Sequence, residues 1–97
     1  YNGIILDPPK FGRGAEKEVW NLFDHLKGMV ELCESVLEQK DAFVILTTYA
    51  VRASHYALDE LCKEVFKGAK IGSGELAIKE QSSDRKISTS LYCRVTR

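Results

Sequence analysis

The sequence predicts an α/β fold in the order β-α-β-α-β-β, a mostly parallel sheet that ends in an antiparallel hairpin. Two short, continuous apolar runs, Ile4-Ile5-Leu6 and Phe43-Val44-Ile45-Leu46, flank a long stretch with helical periodicity. Continuous rather than alternating runs read as strands buried on both faces. A helix between two such strands makes a βαβ unit, which requires parallel strands and a right-handed crossover. The end of the chain behaves differently: Leu91, Cys93 and Val95 alternate with Tyr92, Arg94 and Thr96, the period of a strand with one covered face.

The elements follow in order. Tyr1 to Leu6 is the first predicted strand. Pro8 lacks a backbone donor and pushes Asp7 away from helical geometry, so the strand ends at Asp7. Asp7 to Gly14 is predicted as a loop stiffened by two prolines. A helix is expected from about Ala15 to Glu38, because Val19, Leu22, Leu26, Met29, Cys33 and Val36 recur at steps of three and four. Glu16 and Glu18 would lie in its first turns, where the helix dipole favours acids. Gly28 weakens its middle by about 1 kcal/mol relative to Ala and marks the place for a kink. Trp20 and Phe23 fall partly off the stripe; they are expected to cover the sheet edge, the alternative being that Trp20 lines a pocket beside the loop.

Gln39-Lys40-Asp41 is a polar turn, and Ala42 to Thr48 is the second strand. Being parallel to the first, it must place its tip, Thr47-Thr48-Tyr49, on the same sheet edge as Asp7. Ligands of open α/β sheets bind at that edge. Ser54 can cap a helix running to about Lys67, with Ala57, Leu58, Leu61, Cys62, Val65 and Phe66 on its buried face and Gly68 closing it. His55, in its first turn, is expected to be solvent-exposed or locally bonded. Ile71 to Glu80 and Ile87 to Thr96 are two strands joined by the polar segment Gln81 to Lys86, short enough to require antiparallel pairing.

Composition narrows the function. Ninety-seven residues make one small domain at most, and fourteen basic side chains balance fourteen acidic ones. No bulk basic field is present to hold a polyanion, so any RNA contact must be local. No apolar run approaches the roughly 20 residues of a membrane span. The chain lacks an initiating Met and enters a strand signal almost at once, with no signal peptide visible, so a truncated chain is expected. Cys33, Cys62 and Cys93 are odd in number and widely spaced, with no C-x-x-C pair. Neither a zinc site nor a disulfide framework is indicated; core packing and a reducing cytoplasm fit.

The residues around the first strand tip suit recognition of a nucleobase. The carboxylate of Asp7 can accept hydrogen bonds from an exocyclic amine or a ring N–H. Pro8 fixes the neighbouring carbonyl, which can do the same. Phe11 offers a face for stacking a splayed base, worth about 1–3 kcal/mol. Lys10 and Arg13 suit phosphate contacts that position without specifying. The second tip brings the hydroxyls and aromatic ring of Thr48 and Tyr49 to the same crevice. The structural alternative is a strand end followed by a turn that the prolines merely stiffen.

Asp7-Pro8-Pro9-Lys10-Phe11 resembles motif IV of class I S-adenosylmethionine-dependent methyltransferases, closest to the form found in the bacterial 23S ribosomal RNA methyltransferase group. The helical segment with Glu18-Val19-Trp20, the strand Phe43 to Thr48 and the Gly74-Glu75-Leu76-Ala77 segment follow the order of that group's C-terminal half. The resemblance covers most of the chain, and its specificity comes mainly from five residues. It implies the C-terminal half of a Rossmann-like methyltransferase fold, whose last strand inserts antiparallel. It implies S-adenosyl-L-methionine as cofactor, touched by Asp7 and Pro8, and catalytic positions at Asp7, Pro8 and Pro9. Lys10, Phe11, Arg13, Thr48 and Tyr49 then fall on the substrate side, and the implied partner is RNA, chiefly ribosomal RNA.

The departures are informative. Amino-directed enzymes commonly place an aromatic after the second proline, where this chain has Lys10. Cytosine-C5 enzymes need a thiolate at a strand tip, and neither tip carries Cys, so nitrogen or oxygen acceptors remain open. The family's glycine-rich cofactor loop is not found: Gly72-Ser73-Gly74 falls within the terminal hairpin rather than between a strand and a helix. The chain is therefore expected to be a single partial domain over residues 1–97 that alone binds cofactor weakly or not at all. Its first strand would have an uncovered edge and the sheet one uncovered helix-packing surface, which predicts self-association through Ile4 to Leu6. Two other readings stay open: a non-catalytic α/β module for dimerisation or RNA positioning, and a DNA or small-molecule methyltransferase.

Overall fold

The structure is a computed structural model that describes residues 1–14, 19–49 and 52–97, without the side chains of Val19, Trp20 and Phe23. In chain order it contains β1 (Gly3–Leu6), β2 (Phe11–Arg13), β3 (Val19–Asn21), α1 (Leu22–Val36), β4 (Phe43–Thr48), α2 (His55–Val65), β5 (Lys70–Lys79) and β6 (Lys86–Thr96). Four strands form one sheet in the order β1-β4-β6-β5, and β2 pairs with β3 alone. β1 and β4 are parallel, and β6 lies antiparallel between β4 and β5. The expected parallel pair and inserted antiparallel strand are both present, but the sheet is mixed rather than mostly parallel: among the described residues one of its three pairings is parallel and two are antiparallel, because β6 inserts between β4 and β5.

The predicted loop and the start of the predicted helix are corrected. Phe11, Gly12 and Arg13 pair with Asn21, Trp20 and Val19 in a small hairpin. Val19 and Trp20 belong to the residue types that favour strands, and their pairing holds them out of the helix. Helix α1 therefore begins at Leu22, whose N–H donates to the Lys10 carbonyl at 3.0 Å. The Val19–Leu22 spacing matched a helical step by coincidence. Glu16 and Glu18, and the side chains of Trp20 and Phe23, lie outside the described residues.

The buried face of α1 is also rotated from the expected one. Leu22, Val30, Cys33 and, just past the end, Leu37 are buried, while Val36 is exposed. The helix runs through Gly28 without a break. In α2, the Ser54 hydroxyl caps the N-terminus by accepting the Tyr56 N–H at 3.2 Å. Leu58, Cys62 and Phe66 are buried and Leu61 and Val65 half-buried, but Ala57 is exposed. The helix ends at Val65, two residues earlier than expected, and Gly68 takes the left-handed φ of 80° that glycine tolerates without strain.

One core lies between the two helices and one face of the sheet. It joins Val30 and Leu37, Leu58, Cys62 and Phe66, and the inward row Val44, Leu46, Leu91, Cys93 and Val95. All three cysteines are buried, as expected. The hydrogen bond between Cys62 and Cys93, together with burial, pushes the Cys62 thiol well above the ordinary thiol range. The opposite face is bare among the described residues, the uncovered helix-packing surface expected of a partial domain. Ile5 is 72% and Phe43 41% exposed. The Phe43 ring lies across Gly3, where a Cβ would come within 2.5 Å of it, and the Tyr92 ring lies similarly across Gly74.

At the edge where β4 begins, Arg97 locks the layers together. Its guanidinium donates to the Glu34 carboxylate at 3.1 Å and to the carbonyls of Leu37 and Glu38 at 2.9 Å each. A cation at the C-terminal end of α1 also matches the helix dipole. Among the described residues, no helix is long and apolar enough to cross a membrane.

Candidate functional site

The site lies at the opposite edge, where β1 and β4 end side by side. Their register pairs Leu6 with Leu46, which brings the next residues of both strands together. The Thr47 hydroxyl donates to Oδ1 of Asp7 at 2.6 Å and lies 3.4 Å from the Leu6 carbonyl. Asp7 is solvent-exposed, so this bond fixes the carboxylate without burying it. Pro8 is buried behind it and anchors the turn, while Pro9 is exposed.

Asp7, Pro8, Pro9 and Arg13 line a single cavity of about 540 Å³. Ile5, Leu6 and Met29 supply its apolar wall, and His25 adds an imidazole. The β2–β3 hairpin folds back over this region, which is why Arg13 reaches it. Lys10 and Phe11 are not part of the cavity. Phe11 is 63% exposed, and the Lys10 ammonium sits 5.6 Å from its ring centroid.

The second strand tip divides between two faces. Thr47 turns toward Asp7, whereas Thr48 is 2% exposed on the helix side of the sheet. Thr48 and Tyr49 line a separate cleft of about 390 Å³ with Arg52 and the base of the β5–β6 hairpin. The expected convergence of two tips on one edge is therefore present, but Thr48 and Tyr49 do not meet Asp7 in one pocket. The tip residue that reaches Asp7 is Thr47, through its hydroxyl.

Two residues escaped the sequence reading. Thr47 was visible as a hydroxyl at the tip, and only its register against Leu6 separates it from Thr48. His25 follows the hairpin in the first turn of α1, where its Nδ1 accepts the Asn21 N–H at 2.9 Å. Its signal was a histidine at the start of the helix that follows the proline loop. His55, by contrast, is neither exposed nor locally bonded as expected: it is half-buried and shares a 2.9 Å hydrogen bond with the Ser73 hydroxyl of β5, because α2 packs against that strand. Among the described residues, no cluster of three or more His, Cys, Asp or Glu could hold a metal ion.

No protein-family model matches the chain, and no curated protein matches it. Solved structures do. A SAM-dependent methyltransferase from Agrobacterium tumefaciens superposes with a TM-score of 0.92 and 44% identity over 99% of this chain. SMU.776, assigned as a methyltransferase and solved in complex with SAH, superposes with a TM-score of 0.64 and 18% identity over 99% of the chain, a likeness of fold alone. The chain spans 33% of the length of the first protein and 26% of the second. It is thus similar, over nearly all of its own length, to one portion of a SAM-dependent methyltransferase and has the fold of that portion.

Proposed function

We propose that this chain is the C-terminal part of the catalytic domain of a SAM-dependent methyltransferase that modifies a base of RNA, ribosomal RNA by the resemblance of its Asp7-Pro8-Pro9-Lys10-Phe11 stretch to motif IV. The observation that carries the reading is the 2.6 Å bond from Thr47 to Asp7, which holds a solvent-accessible carboxylate rigidly at the joined strand tips.

The cavity suits the cofactor. Its apolar wall of Ile5, Leu6 and Met29 fits the body of an adenosyl thioether, and its carboxylate fits a donor group. Asp7 and Pro8 would touch the cofactor, which when bound supplies an electrophilic methyl group. The chain's own residues then orient the acceptor. With Oδ1 occupied by Thr47, Oδ2 of Asp7 is the oxygen placed to accept an N–H bond from the target base. It is also placed to take the proton that leaves a nitrogen acceptor on methylation. The Pro8 carbonyl is a second acceptor, and Pro9 stiffens the turn that carries it. Methyl transfer depends on such alignment more than on covalent help. Phe11, projecting beside the cavity, suits stacking of a neighbouring base, and Lys10 and Arg13 suit phosphates. Thr48 and Tyr49 take substrate in the adjacent cleft.

Two titrations of S-adenosylmethionine by calorimetry test this, one on the full-length protein and one on residues 1–97. Binding by the full-length protein and weak or no binding by the isolated chain is the expected result. Absence of binding in both overturns the enzyme reading. We also infer that the isolated chain self-associates by pairing the free edge of β1 with a second copy, because that strand is at the sheet edge with Ile5 exposed. A monomer in sedimentation velocity at high concentration would overturn this. The buried free thiols accord with a cytoplasmic location.

A further inference from the structure

We propose that the cleft between the tip of β4 and the base of the β5–β6 ribbon is a second binding site, and that it takes the ribose–phosphate backbone of single-stranded RNA beside the target base. The proposal rests on the RNA methyltransferase reading and extends it to residues outside the Asp7 cavity.

The placement comes from unequal strand lengths. β6 pairs with β4 from Leu91 to Thr96, but it continues to pair with β5 as far as Lys86 against Lys79. The ribbon formed by 75–79 and 86–90 therefore runs past Thr48 and stands off the same sheet edge as Asp7. Its tip is well tied. Arg85 donates to both carboxylate oxygens of Glu80, at 2.7 and 3.0 Å, and the Ser83 hydroxyl donates to Glu80 at 2.6 Å. A register shift between Leu76 and Ala77 leaves Thr89 as an extra residue, whose hydroxyl donates to the Leu76 carbonyl at 2.9 Å. Such bulges bend a strand and re-aim its side chains. The result is a preformed wall facing the β4 tip.

The chemistry of the cleft selects the ligand. Its volume of about 390 Å³ lies within the range of small-ligand sites. Arg52 is exposed and has no ion pair among the described residues. The hydroxyls of Tyr49, Ser88 and Ser90 likewise make no hydrogen bond to a described residue, and among the described residues no carboxylate lines the space. A guanidinium fork matches a phosphate with two parallel bonds. Neutral hydroxyls around it suit non-bridging phosphate oxygens and a ribose 2′-hydroxyl. The exposed Tyr49 ring adds a stacking face. An acidic peptide would call for more than this one cation. Thr47 and Thr48 are consecutive and turn to opposite faces, so one strand tip joins the base cavity to the backbone cleft.

The test is fluorescence anisotropy of the full-length protein with a short, labelled, single-stranded RNA of random sequence, across a range of KCl concentrations. Arg52→Ala should weaken binding about tenfold and lower the slope of log K against log salt by about 0.7, the loss of one phosphate contact. Arg52→Lys should restore the slope and only part of the affinity. Arg94→Ala removes a cation from the bare sheet face and should leave both unchanged. Melting curves of each variant separate these losses from unfolding. Wild-type binding that Arg52→Ala leaves untouched would overturn the cleft while sparing the RNA reading. No RNA binding by the wild-type protein would overturn both.

Discussion

The two edges of the central sheet are built on opposite principles. Where β4 begins, polar groups are spent on one another. Arg97 engages Glu34, Leu37 and Glu38, and its backbone exchanges hydrogen bonds of 2.9 and 3.0 Å with Ala42. Where β4 ends, the Thr47 hydroxyl joins the strand tips, and Asp7, Arg13, Tyr49 and Arg52 face solvent. The comparison teaches where binding capacity resides. A locked edge sets the register, and the edge that is left with available donors and acceptors can meet a ligand, as rigid scaffolds presenting functional loops do.

The comparison breaks most sharply at Asp7. Asp7→Ala in the full-length protein should reduce methyl transfer to RNA by about a hundredfold or more, on the scale of a lost positioning group. The carboxylate is exposed, so the melting temperature should hardly move. A transfer assay with labelled cofactor, run beside a melting curve, reads both. A variant that melts early and retains its rate would reverse the assignment of the two edges.

Arg97→Ala should show the converse. Removing it leaves Glu34 and two carbonyls without their cationic donor, at a cost of about 2 kcal/mol. Urea unfolding of the full-length protein should report that loss, while transfer at a temperature below melting stays near wild type. Thr47→Val ranks third. It keeps the β-branched shape but frees the Asp7 carboxylate, so transfer should fall about tenfold, a positioning effect of about 1.4 kcal/mol. Because the lost contact orients rather than binds, the fall belongs in kcat with KM for RNA little changed. Equal losses in stability and rate would make Thr47 part of the scaffold instead.

Legibility in the sequence follows the same division. Elements whose signal is a long apolar period were readable: β4, the Ser54-capped α2 and the alternating β6 stand where expected. The parallel tips followed from the βαβ rule alone. What failed involved pairing that periodicity does not encode. Val19 and Trp20 were read as helix because their spacing continued the α1 stripe, but Arg13 and Gly12 pair with them. The Asp-Pro-Pro stretch marked the end of the first strand, whereas the choice between Thr47 and Thr48 needed the register. His25 and Arg52 carried no motif at all.

The smallest effect tests the ribbon, which belongs to the open edge but carries its own lock. The Arg85 guanidinium and then the Ser83 hydroxyl hold the Glu80 carboxyl below its ordinary value. A carboxyl lowered by folding contributes stability that is fully present above the unfolded glutamate range, about 4.3. That contribution is lost as the pH falls through the lower folded value. The ribbon tip should therefore keep its structure from neutral pH down to about 5 and loosen only in stronger acid. Amide exchange at Glu80, whose N–H donates to the Arg85 carbonyl at 2.9 Å, would report it. Glu80→Gln should loosen the tip at neutral pH and flatten the pH dependence. Both groups are exposed and the core lies elsewhere, so global unfolding should barely register the change. Protection at the tip that ignores both acid and the substitution would show that the β5–β6 ladder alone holds the wall, with the ion pair incidental.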